Sequence, residues 1–218
     1  MDMILPPITA TSIVQSNDIA ALTGIFDPEC QIFIWHRPEP AGIAAYLQAA
    51  LDAGRLGLGL RKTLGINETC DFPELPNLPG KQALTDDLQL ITEAYGELLG
   101  CPGIGLRLEV LDKAMCPRFH VDRTGIRLLC TYRGPGTEWL PEHLADRSRM
   151  GPLAGGLPDA SSGLILDANA VGRAPACSLI LLKGTLWQGN AGRGAIHRSP
   201  AVTEAEAPRI VLALDAVW

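Results

Sequence analysis

The chain has 218 residues, 47% hydrophobic and 19% charged, with a net charge of −6. That composition describes one folded domain with room for a substantial core and excludes a disordered chain. The acidic balance argues against a nucleic-acid partner, and no apolar run approaches the roughly 18 residues of a membrane span. Met1–Pro7 shows no basic stretch ahead of an apolar one, so no secretory signal is expected and the expected location is cytoplasmic. The six cysteines are scattered without a Cys-x-x-Cys pair, as expected of reduced, mostly buried thiols; Cys116 alone stands close to a candidate site.

Gly 23 and Pro 17 imply many turns, which suit short strands better than a helix bundle. Ser16-Asn17-Asp18 is placed to cap a short helix through Ile25. Residues 31–35 read as a strand. Pro40 opens a helix to about Ala53, with Ile43, Tyr46, Leu47 and Ala50 on its apolar stripe. Leu56–Leu60 alternates as a strand would, without completing a nucleotide fingerprint. A Pro-rich stretch at 67–81 precedes a helix over 85–99, capped by Thr85 or Asp86. From 104 onward the pattern is strands: 104–111, 118–122, 126–132, 164–167, 178–183, 195–198 and 209–215. In the first of these, Leu106, Leu108 and Val110 share one face, with Arg107 and Glu109 on the other. Residues 141–163 form a polar, Gly-rich excursion of the kind that often covers a site.

Only four histidines exist: His36, His120, His143 and His197. An extended 118–122 aims His120 and Asp122 to one side, because strand side chains alternate. With His197 as third ligand they make a two-histidine, one-carboxylate metal site with open positions, the arrangement of non-haem Fe(II) oxygenases. Arg209 sits in the otherwise apolar run Ile210–Leu214, and a buried Arg requires an anionic partner, either a bound carboxylate or an Asp/Glu. Ser199 stands two residues past the distal histidine, as a second donor or a turn residue. Arg127 and Tyr132 differ by five, so at most one of them lines a pocket. Arg118, Arg123, Arg127, Arg133, Arg193 and Arg198 flank the ligands, either as ion pairs or as an anion-binding wall. Trp139 and Trp187 are candidates for walls of the site or for core. His36 and His143 receive no role.

The order Phe119-His-Val-Asp122, Ser178–Gly184, Ala195-Ile-His-Arg198 and Arg209-Ile-Val-Leu resembles the 2-oxoglutarate/Fe(II)-dependent dioxygenases. The resemblance implies an α+β, mainly β fold: a double-stranded β-helix (jelly-roll, cupin-like) core over 101–218. A helix-containing layer over 1–100 completes a single domain. It also implies Fe(II) on His120, Asp122 and His197, with 2-oxoglutarate bound by Arg209; Ser199 and one of Arg127 and Tyr132 are the further candidates to hold it. The substrate is then an unidentified small or anionic molecule. A closer resemblance is to bacterial proteins grouped as domain of unknown function 1826. It rests on Cys-Pro-Arg-Phe-His-Val-Asp (116–122), residues 127–140, Leu-Leu-Lys-Gly (181–184) and His-Arg-Ser-Pro (197–200). That group is linked with zinc limitation in some bacteria. The alternatives are therefore a Zn(II) hydrolase with Glu138 or Glu142 as general base, or a non-catalytic metal-binding protein on the same scaffold.

Overall fold

The computed structural model describes residues 12–65, 68–151 and 155–218. The N-terminal heptad read for a targeting signal lies outside them. Among the described residues there are ten strands: β1 (Ile13–Ser16), β2 (Ile32–Trp35), β3 (Gly59–Gly65), β4 (Gly103–Leu111), β5 (Ile126–Arg133), β6 (Glu138–Trp139), β7 (Gly172–Arg173), β8 (Leu179–Lys183), β9 (His197–Arg198) and β10 (Arg209–Val217). The α-helices are α1 (Ile43–Asp52), α2 (Lys81–Leu99) and the single turn α3 (Asp159–Ser162). Seven strands form one mixed sheet in the order β1-β2-β8-β5-β10-β4-β3, and a smaller sheet runs β7-β6-β9. The protein is thus mainly β, and three strands from the N-terminal part join the large sheet. No helix among the described residues is long and apolar enough to cross a membrane.

Side-chain alternation gives the large sheet two different faces. Ile210, Leu212 and Leu214 of β10 join Leu128 and Cys130 of β5, Leu106 and Leu108 of β4, and Leu179 and Leu181 of β8 in the main core. That core is closed by α1 through Tyr46 and Leu47, and by α2 through Leu84, Leu88, Ile91 and Tyr95. On the other face, Arg209, Val211 and Ala213, with Arg127, Leu129, Arg107 and Glu109, line an open cleft. Leu106 and Leu108 against Arg107 and Glu109 follow the alternation read from the sequence.

The elements depart from expectation where propensity and pairing disagree. α2 begins at Lys81 after Gly80, so neither Thr85 nor Asp86 caps it. The first helical segment is a 3-10 helix, Ile19–Phe26, whose cap Asp18 accepts a hydrogen bond from the Ala20 amide. β3 starts three residues later than the alternation at 56–60 suggests. The strands expected at 118–122 and 164–167 contract to single bridges, His120 with His197 and Ile165 with Ala145.

Between α2 and the sheet lies a polar knot. Arg37 donates to both oxygens of Asp87, and the Tyr132 hydroxyl donates to Asp87 Oδ2 at 2.6 Å. Burial pushes the Tyr132 hydroxyl pKa well up, so it remains a donor. Removing one partner of such a buried pair strands the other charge. Asp87→Ala is therefore expected to cost about 3–5 kcal/mol, read as a lower urea midpoint.

Candidate metal centre

The backbone fixes the two histidines. His120 and His197 exchange both amide-to-carbonyl hydrogen bonds at 3.0 Å, so they face each other across an antiparallel bridge with both side chains on one side. Their ring centroids lie 4.5 Å apart. Asp122, two residues along, returns to the same side. Glycine permits the crowding: a Cβ on Gly194 (φ 118°) would lie 2.4 Å from Val121 Cγ1, and one on Gly184 2.3 Å from the Thr124 carbonyl.

The three side chains converge. His120 Nε2 is 3.4 Å from Asp122 Oδ1 and His197 Nε2 is 3.3 Å from Oδ2. One ligand atom from each lies within 4.8 Å of the others. On the far side of each ring, Nδ1 of His120 is 2.9 Å from the Arg118 carbonyl and Nδ1 of His197 is 3.0 Å from the Ala195 carbonyl. A carbonyl only accepts, so Nδ1 carries the proton in both neutral rings and the Nε2 lone pairs point at the carboxylate. Facing acceptors require a cation between them or an extra proton on each ring. Outward Nδ1–H bonds of this kind are what orient metal-ligating histidines. The donor set fits a divalent metal ion.

Burial alone would raise the Asp122 pKa, yet hydrogen bonding with His120 and His197 and the Arg127 charge hold it well below the usual carboxylate range. Hydrogen bonding to Asp122 raises the His120 pKa against the effect of its burial. Arg127 Nη1 donates to Asp122 Oδ2 at 2.7 Å, while its Nε and Nη2 grip Asp215 at 2.7 and 2.9 Å. Arg127→Met frees Asp122 from this brace. It is expected to weaken metal binding by about 10- to 100-fold, measured by competition with a chelator.

Arg209 is 3% exposed and opens on the same cleft. Its Nε donates to the Pro135 carbonyl at 2.8 Å, and its Nη2 to the Thr131 and Thr137 hydroxyls at 3.0 and 3.1 Å. No carboxylate pairs with it among the described residues. Accordingly burial, with nothing opposing it, pushes its pKa down to about 10.

The structure places the other sequence candidates as follows. Ser199 and Cys116 both line the cleft, joined by a bond from the Ser199 amide to the Cys116 carbonyl. Tyr132 is the correction: it points through the opposite face of the sheet to Asp87 and has no access to the cleft, as its odd spacing from Arg127 requires. The flanking arginines do not form an open anionic-ligand wall: of the six only Arg127 and Arg198 line the cleft, and Arg123 lines a separate pocket beside Trp187. Arg118 pairs with Asp159, Arg198 with Glu138 and Asp159, Arg193 with Glu29, and Arg133 donates to backbone carbonyls. Trp187 stacks on Phe26 and Trp139 packs in the small sheet, both away from the cleft lining. Thr131, Thr137 and Asp215 were not singled out from sequence. For Thr131 and Asp215 the period-2 register with Arg127 and Arg209 was the available signal; Thr137, past the turn that ends β5, carried none.

These features define a mainly β protein with a large mixed sheet, few helices and a His–Asp–His cluster able to hold a metal ion. Residues 16–215 match the family described as "Protein of unknown function (DUF1826)", and the chain belongs to that family. No curated protein matches the sequence. Among solved structures, the chain is similar to a "putative oxygenase" from Shewanella oneidensis at 11% identity and TM-score 0.50, covering 94% of this chain and 88% of that one. It is also similar to the Arabidopsis thaliana dioxygenase for auxin oxidation 1, solved with 2-oxoglutarate (12%, TM-score 0.49, 94% and 91%). A Pseudomonas putida prolyl-4-hydroxylase follows (10%, TM-score 0.46, 91% and 93%). At these identities the likeness bears on fold alone, and only the first reaches a TM-score that supports an argument.

Proposed function

We propose that this protein is a 2-oxoglutarate- and Fe(II)-dependent oxygenase acting on a small-molecule substrate, cytoplasmic and built as one domain on a double-stranded β-helix. The strand order supports the scaffold. From β4 onward the chain visits the large sheet, the small sheet at His120, the large at β5 and the small at β6. It then runs in mirror order through β7 (small), β8 (large), β9 (small) and β10 (large). A chain wound this way makes two facing sheets with a ligand mouth between them. The described residues before 101 add α1, α2 and strands β1, β2 and β3 around this core.

The observation that carries the reading is Arg209, a buried cation without a carboxylate partner among the described residues, opening on the cleft that holds the three converging ligands. A guanidinium offers a planar fork that a carboxylate fits. In this reading His120, Asp122 and His197 hold Fe(II), and Arg209 takes the distal carboxylate of 2-oxoglutarate, with Thr131, Thr137 and Ser199 adding hydroxyls. Arg127 braces Asp122, and Tyr132 takes no part. Bound there, the metal would activate O₂, the oxidant for hydroxylating a C–H bond, with 2-oxoglutarate as the co-reductant that is decarboxylated to succinate. The chain's own work is to keep both imidazoles in the tautomer that offers Nε2, keep Asp122 ionised and fix the cosubstrate's far end.

The Zn(II) hydrolase reading is less well supported. Glu138 is held between Arg173 and Arg198, and Glu142 is paired with Arg147, so neither is available as a base. The deciding experiment is anaerobic addition of Fe(II) and then 2-oxoglutarate to metal-free protein. A weak visible charge-transfer band is expected. Silence with iron, together with tight zinc binding, would replace the oxygenase by the zinc reading.

A further inference from the structure

Apart from the ligand Asp122, the carboxylates around the cleft are saturated with one exception among the described residues. Asp215 takes hydrogen bonds from Arg107 and Arg127, Glu138 from Arg173 and Arg198, and Asp159 from Arg118, Arg198 and the Phe119 amide. Glu109, on the cleft face of β4, is 7% exposed, yet it has one hydrogen bond, from Arg61 Nη2 to Oε1 at 2.8 Å. Arg61 belongs to the edge strand β3 and its side chain is 71% exposed. Oε2 receives no hydrogen bond among the described residues and is not sealed away from solvent. A buried carboxylate held by one exposed surface arginine is under-satisfied, and that pair contributes little. Arg107, two residues earlier on the same face, is committed to Asp215. Beside Glu109 the wall is apolar, through Leu111 and Met115.

We propose that Glu109 receives a cationic group, an alkyl ammonium or guanidinium, on the substrate that enters this cleft. The proposal rests on the cleft being the oxygenase site. Arg209 binds the anion of the pair, and Glu109 selects a co-reactant of opposite charge. The free Oε2 takes the charged N–H, and Leu111 and Met115 cover the alkyl stem. Arg61 is displaced or shares the carboxylate.

The test is calorimetric titration with butylguanidinium, its neutral isostere butylurea and the anion pentanoate, on the full-length protein. Wild type should prefer butylguanidinium over butylurea by about tenfold or more. Glu109→Gln should erase that preference, and Arg61→Gln should strengthen it. Equal binding of butylguanidinium and butylurea, no binding of butylguanidinium, or a preference that survives in Glu109→Gln overturns the proposal, while pentanoate reports on Arg209. The 2-oxoglutarate band is recorded separately on the same preparations. If it persists while the cation preference is absent, only the Glu109 assignment fails; if the preference is present and the band absent, only the oxygenase reading fails.

Discussion

His197→Ala is expected to abolish metal-dependent behaviour while leaving a folded protein. Its ring is buried at the bridge that also sets His120, and its Nε2 is one of three donors. Perturbing groups that merely orient ligands costs about 10- to 100-fold in metal affinity, so deleting a ligand should exceed about 100-fold. The readout is thermal. A metal present at about 100 times its Kd stabilises the native state by about 2.7 kcal/mol, so wild type should show a metal-dependent rise in Tm. In the variant that rise should vanish. The metal-free variant should lose no more than about 1–3 kcal/mol, the cost of leaving the Ala195 carbonyl without its donor. A His197→Ala protein whose Tm still climbs with Fe(II) or Zn(II) would show that the three side chains do not act as a metal site.

Much of this site was legible because it obeys the period of a strand. Alternation alone places His120 with Asp122, separates Arg127 from Tyr132, and puts Arg107 and Glu109 opposite Leu106 and Leu108. The distance from His120 to His197 is long in sequence, but scarcity of histidine made the pairing readable. What sequence did not yield depends on partners that local patterning does not encode. The arginine excess divides into Arg118–Asp159, Arg198–Glu138 and Arg127–Asp215, pairs 41, 60 and 88 residues apart, and no periodicity announces them. The expected strands at 118–122 and 164–167 form only single bridges because neighbouring backbone finds no sustained partner. The 3-10 segment at 19–26 reads as helix from composition, since the cap chemistry is common to both forms. Gly80 replaces the expected polar cap of α2.

Arg209→Met separates function from stability. A guanidinium 3% exposed without a carboxylate partner carries a desolvation cost that its bonds to Pro135, Thr131 and Thr137 offset only in part. Methionine of similar length removes that cost, and the two threonine hydroxyls can turn to each other or to water. The variant is therefore expected to unfold at the same or a higher Tm, as happens when a strained functional site is relieved. Its affinity for 2-oxoglutarate should fall by the value of a buried charge-to-carboxylate contact, about 2–5 kcal/mol, or roughly 30-fold to several thousand-fold. Arg209→Lys should fall between, since a point charge keeps the attraction without the bidentate fork. Titration of 2-oxoglutarate against the metal-loaded protein, beside a thermal melt of each variant, reads both quantities. A variant that loses several kcal/mol of stability yet binds 2-oxoglutarate unchanged would make Arg209 a structural strut between β5 and β10, and the oxygenase reading would lose its cosubstrate anchor.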